Sequence, residues 1–112
     1  MFINRLFVIL GALGVICGAF GAHALKTKLT ESQMHTWSTA TLYLFIHVIA
    51  GLLSGLLCSK TRSQIFFLLG VLLFSGSLYA LILTNSPSLG IITPAGGILF
   101  IVGWLIMLFD LK

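Results

Sequence analysis

The chain has 112 residues, of which 59% are hydrophobic and 7% are charged, and its net charge is +4 at pH 7. The few charged side chains lie between long apolar stretches, which excludes an ordinary water-soluble domain and predicts a membrane protein. The six basic residues are scattered and form no basic stripe, so we expect no nucleic acid as a partner and expect membrane lipids instead.

Four apolar stretches are each close to the ~20 residues that a helix needs to cross ~30 Å of hydrocarbon. Because they lack the strict alternation of barrel strands, they predict an all-α fold, a polytopic bundle of four transmembrane helices. The helices are predicted over residues 6–25, 31–58, 64–84 and 93–109, in a single domain that covers 1–112.

The first stretch has an alternative interpretation. Arg5 precedes an apolar run that ends in Ala22-His23-Ala24, which resembles the cleavage site of a secretory signal peptide. Three spans would still remain, so we expect this stretch to be retained as a helix. Ile16 before Cys17 argues against a lipoprotein signal, and the position of Cys58 at the other membrane face predicts no disulfide.

Polar residues mark the starts of the second and fourth helices. Thr30 and Gln33 have the spacing of a capping box, in which each side chain bonds to the backbone N–H of the other residue. Thr93 is the predicted N-cap of the fourth helix, with Pro94 at the first helical position.

An even number of spans places both chain ends on one side of the membrane. Trp37 and Trp104 are expected to lie at headgroup level on opposite sides. The side with the chain ends carries more basic residues, which predicts cytoplasmic termini in an inner (plasma) membrane. Its basic residues are Arg5, Lys60, Arg62 and Lys112, against Lys26 and Lys28 on the other side.

Glycines are predicted to let neighbouring helices approach closely, because van der Waals contact is a main source of helix association in lipid. A seam between copies of the chain, or a channel lined by backbone, is the alternative. The predicted packing glycines are Gly11, Gly14, Gly18, Gly21, Gly51, Gly55, Gly76 and Gly97.

Polar side chains within the spans form a candidate pocket. His47 lies ten residues beyond Trp37, or ~15 Å deeper, and Ser75 lies ~14 Å inside Thr84, so the two are expected to be level. A tyrosine lies one turn outward of each. The candidate pocket comprises His23, Tyr43, His47, Ser75, Tyr79 and Thr93, for which a structural role within the bundle is the alternative.

No cofactor, metal or catalytic residue is predicted. His23 and His47 could suggest a haem, but their depths differ by ~12 Å, whereas two axial ligands must meet one iron at one level. No carboxylate or thiol lies near either histidine to complete a zinc site. An enzyme is not expected, since no nucleophile has a base and an orienting carboxylate at a suitable spacing.

Four short strings are distributed over almost the whole chain. They are Gly18 to Leu25 (GAFGAHAL), Trp37 to Ala40 (WSTA) with Tyr43 and His47, Phe74 to Tyr79 (FSGSLY), and Thr93 to Gly97 (TPAGG) with Gly103-Trp104. In these strings the chain resembles the YgdD-like (YwdK-like) family of small four-span inner-membrane proteins of unknown function. The resemblance implies no activity or cofactor. It implies that the signature positions are Gly21, His23, Tyr43, His47, Ser75, Gly76, Tyr79, Pro94 and Gly97.

These features together predict a non-enzymatic helical bundle that binds a lipid, a quinone-like molecule or a partner protein. The alternative is a small transporter or proton-linked permease, in which His47 carries a proton and the chain acts as an oligomer. A homo-oligomer or a membrane-protein partner is compatible with either function.

Overall fold

The computed structural model describes residues 2–112 and contains four long helices. They are α1 (Phe2–His23), α2 (Glu31–Leu57), α3 (Arg62–Thr84) and α4 (Thr93–Asp110), with a short 3-10 segment over Pro87–Ile91. The predicted all-α fold is confirmed, because the described residues hold four helical segments long and apolar enough to cross a membrane. The first helix begins at Phe2 rather than at residue 6, since a helix continues beyond the hydrocarbon into the headgroup region.

Each helix packs on the next one in the sequence, and α1 also touches α3 at its edge. The backbones of α2 and α4 stay apart, and side chains occupy the space between them. The molecule measures 47 × 26 × 19 Å, so the bundle is flattened across the helices. This arrangement leaves a groove on each broad side.

Three glycines allow α1 and α2 to pack closely. At each one the missing side chain leaves a gap, here called a notch, that a group from the other helix fills. A Cβ atom at Gly14 would lie 2.6 Å from the Leu44 side chain, and one at Gly21 would overlap the Trp37 indole. The third notch is reversed, because Gly51 on α2 leaves room for the Phe7 ring. Residues 7, 14 and 21 are seven apart, so they lie on one face of α1 at successive levels.

Three further notches join α3 to α4, at glycines outside the predicted packing set. Gly70 accommodates the ring of Phe100, and Gly103 accommodates that of Phe67. Gly96 lies directly against the backbone of Phe74. These contacts set the register of α4 along α3.

The predicted packing glycines differ in their contacts. A Cβ atom at Gly55 would collide with Gln64, whereas added carbons at Gly11, Gly18 and Gly97 would make ordinary contacts. Gly76 is exposed, and an added Cβ there would meet no atom within 4 Å. Gly76 therefore does not mediate a close helix contact within this chain.

The capping box at the start of α2 is confirmed. Gln33 N donates to Thr30 Oγ1 over 3.1 Å, and Thr30 N donates to Gln33 Oε1 over 2.9 Å. The predicted cap of α4 is wrong, because Ile92 occupies the N-cap position and makes no side-chain cap. The hydroxyl of Thr93 lies instead 2.6 Å from that of Ser77, a partner supplied by α3 where lipid would supply none.

Both tryptophans donate their indole N–H groups to other helices of the bundle. Trp37 is buried against α1, where its indole N–H donates to the carbonyl of Cys17 over 2.9 Å. Trp104 directs its N–H to His47. An indole away from water needs an acceptor for its one donor, and a neighbouring helix provides one in both cases.

Candidate functional site

His47 lies between α2 and α4 and is only 4% exposed. Its Nδ1 lies 2.8 Å from the carbonyl oxygen of Tyr43, and its Nε2 lies 3.0 Å from the indole nitrogen of Trp104. A carbonyl only accepts and an indole only donates, so these partners define a neutral imidazole with its proton on Nδ1. Both polar atoms of the ring are satisfied within the protein.

Aromatic rings hold the imidazole in this orientation. Phe100 stacks on His47 with the ring centroids 3.6 Å apart and the planes at 11°. The ring centroids of Phe67 and Trp104 lie 5.6 and 5.9 Å from that of His47. Because Phe100 fits into the notch at Gly70, the α3/α4 seam places the ring on which His47 stacks.

An open groove lies beside this cluster, where α2 and α4 do not meet. It has a volume of about 500 Å³ and is lined by aromatic residues together with the first turns of α4. Tyr43 is 38% exposed and Trp104 is 45% exposed at this groove. Among residues 2–112, the Tyr43 hydroxyl has no hydrogen-bond partner, so it is the available polar group of the α2/α4 groove.

The hydroxyl groups of Ser75 and Tyr79 form hydrogen bonds with α2 and do not face the α2/α4 groove. Ser75 Oγ donates to the carbonyl of Ala40 over 2.7 Å. Thr41 Oγ1 donates to the carbonyl of Trp37, so the Tyr79 hydroxyl, 2.6 Å away, donates to Thr41. These hydroxyl groups join two helices rather than facing His47.

The prediction that His47 and Ser75 lie level is wrong. Ser75 bonds to Ala40, seven residues before His47 and therefore ~10 Å further along α2. The α3 ring that contacts His47 is that of Phe67. The sequence-based depth counted inward from Trp37 and from Thr84 as if these two residues were level, whereas the Trp37 ring packs on Tyr79, five residues before Thr84.

The structure brings only part of the candidate pocket together. Tyr43 and His47 share the α2/α4 groove, while Ser75 and Tyr79 lie between α2 and α3. Thr93 bonds to Ser77, and His23 is exposed at the end of α1.

Sequence reasoning missed the aromatic partners of His47. Phe100 and Trp104 are four residues apart, so they lie on one face of α4 and reach the imidazole from adjacent turns. That spacing was a usable signal, although it did not indicate which helix the two rings would face. Among residues 2–112, no three His, Cys, Asp or Glu side chains are grouped as metal ligands would be.

The chain is similar to proteins of one membrane family. A family profile described as "Protein of unknown function (DUF423)" matches residues 17–97. A UPF0382 membrane protein of Staphylococcus epidermidis (strain ATCC 12228 / FDA PCI 1200) is 43% identical, with 92% of each chain covered. One from Staphylococcus aureus (strain bovine RF122 / ET3-1) is 41% identical, with 93% of each chain covered. No solved structure matches the chain.

Proposed function

Since the chain belongs to the family described as protein of unknown function (DUF423), whose relatives are named membrane proteins, we propose that it binds a membrane-embedded molecule in the α2/α4 groove. The function is non-enzymatic in this proposal, because both nitrogen atoms of His47 are engaged within the protein. The observation that carries it is the free hydroxyl of Tyr43 in an open groove otherwise lined by aromatic and aliphatic residues.

The lining favours a ligand with a flat polar head and an apolar tail, as in a quinone. Aromatic walls bind a planar ring by stacking, and the Tyr43 hydroxyl can donate to a ring carbonyl. The open side of the groove lets a long tail remain among acyl chains. A phospholipid has no planar ring and would make no stacking contact with these walls.

Two glycines provide a matched test. Gly97 lines the α2/α4 groove, whereas Gly76 is exposed on α3, away from that groove and with free space around it. Gly97→Leu fills the groove and is expected to weaken binding of a short-chain quinone by about tenfold or more, a loss of roughly 1.4 kcal/mol or more. Gly76→Leu should leave binding unchanged. Native mass spectrometry of the purified protein titrated with decyl-ubiquinone measures both.

Equal quinone binding by the two variants would contradict the proposal. A phospholipid that stays on the wild-type protein and resists displacement by the quinone would do the same. Circular dichroism in the same detergent verifies that each variant keeps its helices, so a loss of binding can be separated from a loss of fold.

An oligomeric proton-linked permease is the alternative function. If His47 carried the proton, its protonated Nε2–H would face the indole N–H of Trp104, and the bond between them would have to break in every cycle. The proposal of a binder therefore expects no proton or solute flux in proteoliposomes. Flux that His47→Phe abolishes would favour the permease.

We also propose that both termini face the cytoplasm from an inner (plasma) membrane. The chain ends share one face of the bundle, where the backbone N–H of Lys112 bonds to Leu57 O and the side chain of Asn4 bonds to Gln64. That face carries the larger share of the basic residues. A C-terminal green fluorescent protein fusion should fluoresce, and a C-terminal alkaline phosphatase fusion should be inactive; the reverse pattern contradicts this orientation.

A further inference from the structure

A second cavity lies on the face of the bundle that carries both chain ends. It has a volume of about 220 Å³ and is lined by polar residues from three segments, the start of α1, the α2–α3 loop and the start of α3. They include Asn4, Ser59, Lys60, Thr61 and Gln64. We call this the terminal-face cavity.

Gln64 is the buried polar group of this cavity and is only 3% exposed. Its Nε2 donates to Asn4 Oδ1 over 2.8 Å and to the carbonyl of Gly51 over 2.9 Å. Any side chain at Gly55 would collide with this amide, so the glycine preserves its place. The two bonds fix the orientation of the carboxamide, and within residues 2–112 its Oε1 has no donor.

One positively charged side chain lines the cavity. The carboxylate of Asp110, on this face, is neutralised by Arg62. The guanidinium donates from Nη2 to Oδ1 over 2.6 Å and from Nε to Oδ2 over 3.0 Å. Lys60 lines the cavity and makes no salt bridge within residues 2–112. Thr61, the N-cap of α3, makes no side-chain cap, so the first N–H groups of that helix add to the positive potential.

We propose that the terminal-face cavity binds the headgroup of an anionic phospholipid that carries a hydroxyl, as a phosphoglycerol does. Lys60 and the start of α3 attract the phosphate, and the headgroup hydroxyl donates to Gln64 Oε1. The lipid source follows from position, because the cavity lies at the end of membrane-length helices that expose apolar side chains, such as Leu56 and Ile65, within one residue of its lining. This site is separate from the α2/α4 groove.

The test compares three lipids on the detergent-solubilised full chain by native mass spectrometry. Phosphatidylglycerol has the charge and the hydroxyl, phosphatidylmethanol has only the charge, and phosphatidylcholine has neither a net charge nor a hydroxyl. Affinity is expected to fall in that order. Lys60→Gln should weaken phosphatidylglycerol binding about fivefold, the effect of one basic residue near a lipid surface.

Lys112→Gln is the matched control, because it removes an exposed cation from the same face but outside the cavity lining. It should leave phosphatidylglycerol binding within twofold of wild type. Equal affinity for the three lipids, or equal effects of the two lysine variants, would overturn the proposal. Binding of soluble glycerophosphoglycerol as tight as that of the lipid would overturn the lipid assignment. Gly97→Leu should not change this binding, which keeps the test independent of the groove.

Discussion

The two broad sides of the bundle carry apolar grooves that differ in their lining. The α2/α4 groove has aromatic walls and the free hydroxyl of Tyr43. The groove between α1 and α3 is smaller, about 180 Å³, and is lined mainly by aliphatic side chains. Ser75 and Tyr79 reach it, but their hydroxyl groups already donate within the protein. An unpaired polar atom, more than a polar residue type, therefore distinguishes a candidate site from a packing defect.

The largest expected effect on stability comes from adding a methyl group where α3 and α4 are in closest contact. The α2/α4 groove depends on this contact, because it positions α4. Gly96 faces the backbone of Phe74, which cannot rotate away, whereas its neighbour Gly97 faces the groove. Gly96→Ala is expected to cost roughly 1–3 kcal/mol of the free energy of unfolding. Gly97→Ala should be neutral or slightly stabilising, since alanine favours a helix. Reversible unfolding in mixed detergent measures both, and equal effects would mean that the two helices do not meet at Gly96.

A smaller effect is expected when the imidazole is removed. His47→Phe keeps a ring against Phe100 but removes the acceptor for Trp104 and the donor to Tyr43 O. The loss should be about 1–2 kcal/mol, near the upper range for hydrogen bonds within membrane bundles. The Trp104 emission should change as its N–H loses its partner. An unchanged spectrum together with unchanged stability would contradict the described bonding.

The smallest effects on stability are expected when Tyr43 and Tyr79 lose their hydroxyl groups, and the two variants should differ. Tyr79→Phe removes the donor to Thr41 and should lower the free energy of unfolding by about 0.6 kcal/mol. Tyr43→Phe removes a hydroxyl without a partner, so stability should hold while quinone affinity falls by about two- to tenfold. If Tyr79→Phe lowered quinone binding and Tyr43→Phe did not, the assignment of the ligand to the α2/α4 groove would be wrong.

Much of the fold could be predicted because membrane thickness and backbone hydrogen bonding leave few choices for an apolar stretch. The capping box at Thr30 and Gln33 was equally predictable, since both partners lie within one turn. The cap at Thr93 was not, because its hydroxyl bonds to Ser77 of a neighbouring helix. Local patterns predict local bonds, and they fail where a residue distant in sequence offers a better partner.

The candidate site was predictable only in its centre. His47 and Tyr43 stand out as polar residues in an apolar stretch, and they do lie together. Ser75 was assigned to the same level from helix ends alone, an error of about two turns. The hydrogen bond from Trp104 to His47 was missed, because it joins residues 57 positions apart on different helices.

The number of helices and the start of α2 were predictable from the sequence, because they depend on hydrophobicity and on contacts within a few residues. The register between helices became known only from the folded bundle, and so did the partners of His47 and Gln64 and the grooves that remain open. The glycine notches set this register. Each depends on a glycine meeting a particular large side chain or backbone segment across a seam, and that pairing becomes visible only when both helices are in place.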